Sequence, residues 1–152
     1  MSVTSAFESL SGRWITSGEV FAEDGESSIA RIEGTDEYRL LGESFLVHTV
    51  DVSIGGQRVE ALEMIGPDEG TNVFPTRAFD SSGSFEESTA EFDGKATWIF
   101  RSGEAEANLT IADDGASMSA DWIRTVEGRE VPWMRLKLVR EPIVQDDSIL
   151  TA

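Results

Sequence analysis

The strongest constraint on this chain is a two-residue alternation of apolar and polar side chains in its second half. Ala96, Trp98 and Phe100 share one parity, as do Ala105, Ala107, Leu109 and Ile111, then Met118, Ala120 and Trp122, and finally Met134, Leu136 and Leu138. A β-strand points successive side chains to opposite faces, so each run is the apolar face of one strand. The intervening Thr97, Arg101, Glu104, Glu106, Asn108, Ser117, Ser119 and Asp121 form a wet face. That one-sided pattern belongs to antiparallel sheets; a parallel sheet covered by helices would be apolar at both parities.

Turn-forming residues punctuate the runs: Asp24-Gly25, Gly34-Thr35, Gly55-Gly56, Pro67 to Gly70, Ser81-Ser82-Gly83, Asp93-Gly94, Gly103, Asp113-Asp114-Gly115 and Glu127-Gly128. Such pairs supply the backbone angles of tight hairpins, so consecutive strands are expected to pair antiparallel. The rhythm predicts an all-β, single antiparallel up-and-down closed β-barrel of about nine or ten strands, an arrangement that removes exposed sheet edges. Near the N-terminus, Phe7 and Leu10 lie on one face of a helical turn, which predicts a short helix or plug. The expected organisation is a plug over residues 1–11, a barrel over 12–140 and a tail over 141–152. In that tail Ile143, Val144, Ile149 and Leu150 stand among acids, and fraying is expected.

A chain of 152 residues is ample for one self-sufficient core. With no cysteine there is no disulfide, thiolate metal site or thiol nucleophile to consider. The formal charge of −17 repels nucleic acid and anionic membranes. Twelve basic residues, of which only Lys95 and Lys137 are lysines, are scattered among 29 acids, as on a solvated outer surface. Neither a secretory leader nor a membrane-spanning apolar run is visible, so a cytoplasmic location is expected.

Just after the predicted plug the chain reads Leu10-Ser11-Gly12-Arg13-Trp14. This resembles the Gly-x-Trp opening of lipocalins and other calycin barrels. The stretch from Leu10 to Arg140 is similar to a group of uncharacterised bacterial lipocalin-like proteins. They share the Leu-x-Gly-x-Trp start, a Tyr-Arg-Leu-Leu-Gly hairpin (here Tyr38 to Gly42) and a closing strand ending in arginine. The mid-chain turn departs from theirs, reading Ile65-Gly66-Pro67-Asp68. The resemblance implies a barrel with a cavity, and a clasp in which a basic residue of the last strand packs over the tryptophan. Gly12, Trp14 and Arg140 are the matching positions, with Arg135 the alternative cation. Haem-binding barrels share the same opening but take their axial histidine from the C-terminal part of the chain, where there is none here.

Candidate chemistry is sparse. No nucleophile elbow, phosphate loop, zinc-protease helix or calcium loop occurs, and no cofactor or metal is expected, haem being the one cofactor the resemblance brings into view. The single histidine, His48, shares its parity with Leu46, Val50 and Val52, which leaves it as a core residue, a ligand contact, or an acid/base group if the protein is an enzyme. Trp98 and Trp122 lie on the apolar face as core fillers or ligand-lining rings. Trp133 has the opposite parity to Met134, and Arg77 reads as a surface cation. Glu60, Glu63 and Asp51 become relevant only if they point inward. The expected function is the binding of a small apolar or amphipathic molecule within the barrel, with Tyr38, His48, Trp98 and Trp122 lining the site. The alternatives are a barrel enzyme using His48, a haem-binding barrel, and a subunit that self-associates around Trp133; monomer and homodimer both stand open.

Overall fold

The computed structural model describes residues 3–142 apart from Glu69, so Ile143, Val144, Ile149, Leu150 and the rest of 143–152 lie outside the described residues. A helix α1 (Val3–Glu8) is followed by strands β1 (Gly12–Phe21), β2 (Ser28–Leu41), β3 (Phe45–Ile54), β4 (Gln57–Ile65) and β5 (Val73–Asp80). The chain continues through β6 (Phe85–Phe92), β7 (Thr97–Ser102), β8 (Ala105–Ile111), β9 (Ser117–Val126) and β10 (Arg129–Arg140). Each strand pairs antiparallel with the next, and β1 pairs with β10 to close the barrel. Among the described residues no helix is long and apolar enough to cross a membrane.

The late alternation reads directly into the interior. Trp98, Phe100, Ala107, Leu109, Ile111, Met118, Ala120 and Leu138 are all buried. One end of the barrel is sealed by the N-terminal segment. Helix α1 stops at Glu8, and the amides of Leu10 and Ser11 both donate to the Phe7 carbonyl, folding the chain back under the barrel. Ala6, Phe7 and Leu10 are thereby fully buried. Phe7 packs 5.1 Å from Phe74 and 6.5 Å from Trp98, ring centroid to centroid.

Two local expectations need correction. Gly34-Thr35 is no turn but the middle of β2, where Gly34 pairs with Thr16 on one side and Val52 on the other. A Cβ at Gly34 would lie 2.2 Å from the Asp51 carbonyl oxygen, so the glycine serves close approach of neighbouring backbones rather than a change of direction. The chain turns instead at Gly42 to Ser44. The second correction concerns Trp133. The register of β10 against β9 slips between Pro132 and Met134, a bulge placed where proline has no ladder proton to lose. The bulge breaks simple parity and turns Trp133 edge-on to Trp122, at 6.0 Å and 82°. Trp133 is half-buried, and an exposed apolar row on the outer surface is formed by Leu62, Phe79 and Phe85, in register across β4, β5 and β6.

Candidate ligand site inside the barrel

The floor of the barrel is a packed aromatic layer. Trp98 is fully buried, with Phe92 at 4.8 Å and Phe74 at 5.4 Å, and its indole N–H donates to Ser9 Oγ at 3.2 Å. Trp14 donates its indole N–H to the Leu10 carbonyl at 2.9 Å. Register sets Trp14 opposite Arg140 across the closing pair, and the Arg140 guanidinium carbon lies 4.2 Å from the Trp14 ring centroid. The same guanidinium donates to the carbonyls of Ser11 and, at 3.1 Å, Gly115. It therefore ties together the start of β1, the turn before β9 and the end of β10. Gly12 is required beside it: its φ is +127°, and a Cβ would lie 2.5 Å from Arg140 Nη1. Arg135 points elsewhere, toward Phe21 and Asp121.

Above this floor lies a cavity of about 220 Å³. Its wall includes Val50, Phe100, Leu109, Trp122, Leu136 and Leu138, and four alanines, Ala61, Ala78, Ala107 and Ala120, whose short side chains leave the space unfilled. Native interiors otherwise pack to crystal-like density. Tyr38, His48 and Trp122 line this cavity, whereas Trp98 does not: it belongs to the floor beneath.

One side of the cavity is polar, and three strands build it. His48 on β3 stands opposite Tyr38 on β2 and Glu63 on β4. Two residues before Tyr38, and so on the same face, is Asp36. His48 Nε2 donates to Asp36 Oδ1 at 2.6 Å and His48 Nδ1 to Glu63 Oε1 at 3.1 Å. The other Asp36 oxygen accepts from the buried Thr16 hydroxyl of β1. The His48 ring also stacks on Tyr38, centroids 4.0 Å apart and planes within 8°.

The electrostatics follow from this geometry. Burial alone would strip the proton from His48, whose side chain is only 13% exposed, but hydrogen bonds and charge from Asp36 and Glu63 outweigh it and push the pKa from 6.5 up to about 9. Burial, with Asp36 and Glu63 adding to it, raises the Tyr38 phenol well above its ordinary value, so it stays a neutral hydroxyl. Two carboxylates and one imidazolium leave the cluster with one uncompensated negative charge. Tyr38 is 4% exposed and lines the cavity.

This state limits what His48 can do. Bonded through both nitrogens and protonated at neutral pH, it has no lone pair with which to accept a proton or hold an iron. The cavity is also smaller than the ~300 Å³ at which cofactor-sized pockets begin. The residues present do not fit haem, and among the described residues no group of three His, Asp or Glu is arranged to hold a metal ion.

Of the carboxylates weighed from sequence, Glu63 points inward, while Asp51 and Glu60 face outward and share Arg58. Asp36 was the residue that sequence reasoning missed. The signal was there, since Asp36 has the parity of Tyr38, but a turn read at Gly34-Thr35 broke the strand that carries it. Arg77 is exposed. A second inward cation, Arg124 on β9, sits at the opposite end from α1. It donates to the Phe21 carbonyl at 3.1 Å and lies 5.6 Å from the Trp133 ring.

The class defined by this architecture is a closed ten-stranded antiparallel barrel with a small apolar cavity and an ionic cluster in its wall. The sequence matches no protein-family model and no curated protein. Solved structures do resemble it. Rv2717c of M. tuberculosis aligns with a TM-score of 0.63 at 14% identity, covering 93% of this chain and 99% of that one. A de novo designed fluorescence-activating β-barrel aligns with a TM-score of 0.50 at 12% identity, covering 90% of this chain and 97% of the design. At these identities the likeness is one of fold.

Proposed function

We propose that this protein is a lipocalin-like binding protein that holds a small apolar or amphipathic molecule in the barrel cavity. The apolar body would rest against Trp122 and the alanines, and the polar end would meet Tyr38 and the Asp36–His48–Glu63 cluster. The observation that carries this reading is an unfilled apolar space walled on one side by the hydrogen-bonded Asp36–His48–Glu63 cluster. A core selected only for stability would fill the space. The Gly12-Trp14-Arg140 clasp supports the lipocalin-like assignment.

An acid/base enzyme built on His48 would need a free ring nitrogen near neutral pH. The two carboxylates hold both nitrogens, which favours binding over catalysis.

Native mass spectrometry of protein purified without denaturant, followed by tryptophan-fluorescence titration with small aromatic, aliphatic and isoprenoid compounds, tests the proposal. A co-purifying mass, or saturable quenching lost in an Ala120→Leu variant, supports it. A chain that flies bare, shows no quenching with any compound and has a solid interior in a crystal structure refutes it.

A further inference from the structure

We infer that the occupant of this cavity is a small amphipathic monocation, an amine whose protonated nitrogen meets the Glu63 carboxylate and the Tyr38 hydroxyl while a single ring or short chain fills the apolar part. The inference rests on the reading of the cavity as a binding site and narrows it to one chemical class.

Size is the first argument. An engineered apolar cavity of ~150 Å³ accommodates benzene, so about 220 Å³ holds one ring with a short arm. A fatty acid tail or a polycyclic isoprenoid exceeds this volume.

Charge is the second. Asp36 uses one oxygen on Thr16 and the other on His48, so it has little left to offer. Glu63, which lines the cavity, gives only Oε1 to His48, at 3.1 Å, and its side chain is 20% exposed, so Oε2 remains available as an acceptor. The net charge of the cluster is negative. A ligand cation neutralises it, whereas a ligand carboxylate would face two like charges in a setting of low dielectric. The imidazolium cannot turn to greet an anion, since both its N–H groups are already engaged.

The third argument is the aromatic lining. Phe100 and Trp122 add aromatic rings to the lining, which attract a cation and repel an anion, while one face of Tyr38 is already covered by His48. Arg124 is the inward group that would oppose this preference, but it does not line the cavity, being held at the far end by the Phe21 carbonyl and the Trp133 ring. Outside the barrel, the −17 formal charge raises the local concentration of cations at the protein surface.

The test is isothermal titration calorimetry at pH 7 on the full chain with three probes of matched shape: 2-phenylethylamine, 2-phenylethanol and 3-phenylpropionate. The amine is expected to bind about tenfold more tightly than the alcohol, the difference between a charge-assisted and a neutral hydrogen bond. The carboxylate should bind most weakly. Glu63→Gln should collapse the amine-to-alcohol ratio toward one; should that variant not fold, the probe ranking on the native chain decides alone. Equal affinities, or a tighter carboxylate, overturn the inference and leave the binding proposal standing. Absence of binding by all three overturns the inference, and the binding proposal is then decided by its own compound panel.

Discussion

Arg140 sits over the ring of Trp14, its guanidinium carbon 4.2 Å from the ring centroid, and the two residues are also register partners across the closing strand pair. The contact joins the first strand of the barrel to the last, over 126 residues of chain by residue number (140 − 14). Closing so long a loop costs conformational entropy before any contact forms. The clasp is therefore expected to matter for stability more than a surface arginine would.

Arg140→Ala removes the cation–π contact and leaves the carbonyls of Ser11 and Gly115 without their donor. The expected loss is about 2–4 kcal/mol. Arg140→Lys should recover only part of it, because an ammonium cannot reach two carbonyls and cover a ring together. Urea denaturation followed by tryptophan fluorescence checks both, and an Arg140→Ala variant within 0.5 kcal/mol of the native chain by that measure, a margin typical of surface substitutions, would refute the clasp.

The pH dependence of stability follows from His48. Its pKa is about 9 in the fold against 6.5 in the unfolded chain, so the folded state binds the proton more tightly. The stabilisation is fully present below pH 6.5 and is lost as pH rises through 9, amounting to on the order of 3 kcal/mol. Denaturation midpoints measured from pH 6 to pH 10 should fall across that window. His48→Gln should flatten the fall and lower stability at pH 6 by about 3–5 kcal/mol, since Asp36 and Glu63 lose their shared cation. An NMR titration placing the His48 pKa below 7 would contradict the arrangement.

The four alanines of the cavity wall make a prediction of opposite sign. Adding side-chain volume to a packed core costs about 1–3 kcal/mol, but adding it to an empty space costs little. Ala120→Leu should leave the midpoint of thermal unfolding within a few degrees of the native value, or raise it, while reducing affinity for any cavity probe by tenfold or more. A large drop in stability would mean that the space is already filled.

Two tryptophans separate packing from binding. Trp98 touches Phe7, Phe74, Phe92 and Phe100 in the floor, and Trp122 lines the cavity. Trp98→Ala is expected to cost about 3–5 kcal/mol. Trp122→Phe should cost less stability and change probe affinity more, read by calorimetry alongside urea titration. The reverse ranking would move the site from the wall to the floor.

How much was legible in advance can be traced residue by residue. The period-two runs from Ala96 to Leu138 and the turn pairs determined an antiparallel barrel, because strand periodicity and hairpin chemistry are local properties written over a few neighbouring residues. The position of Phe7 and Leu10 likewise marked a short plug. Parity also assigned His48 to the inner face. What parity could not supply was which inner residues meet. Asp36, His48 and Glu63 come from three strands and are neighbours only because the register of β2, β3 and β4 aligns them. The same holds for the division between Trp98 in the floor and Trp122 at the cavity, which depends on height along the barrel axis. Gly34 looked like a turn because glycine serves both turns and close backbone approach, and only the nearness of Asp51 tells them apart. Trp133 turned inward because a bulge at Pro132 altered parity. Thus the sequence by itself determined the alternation, the hairpins and so the kind of fold. The tertiary structure decided register, height and cavity, since these are set by contacts between residues far apart in the chain.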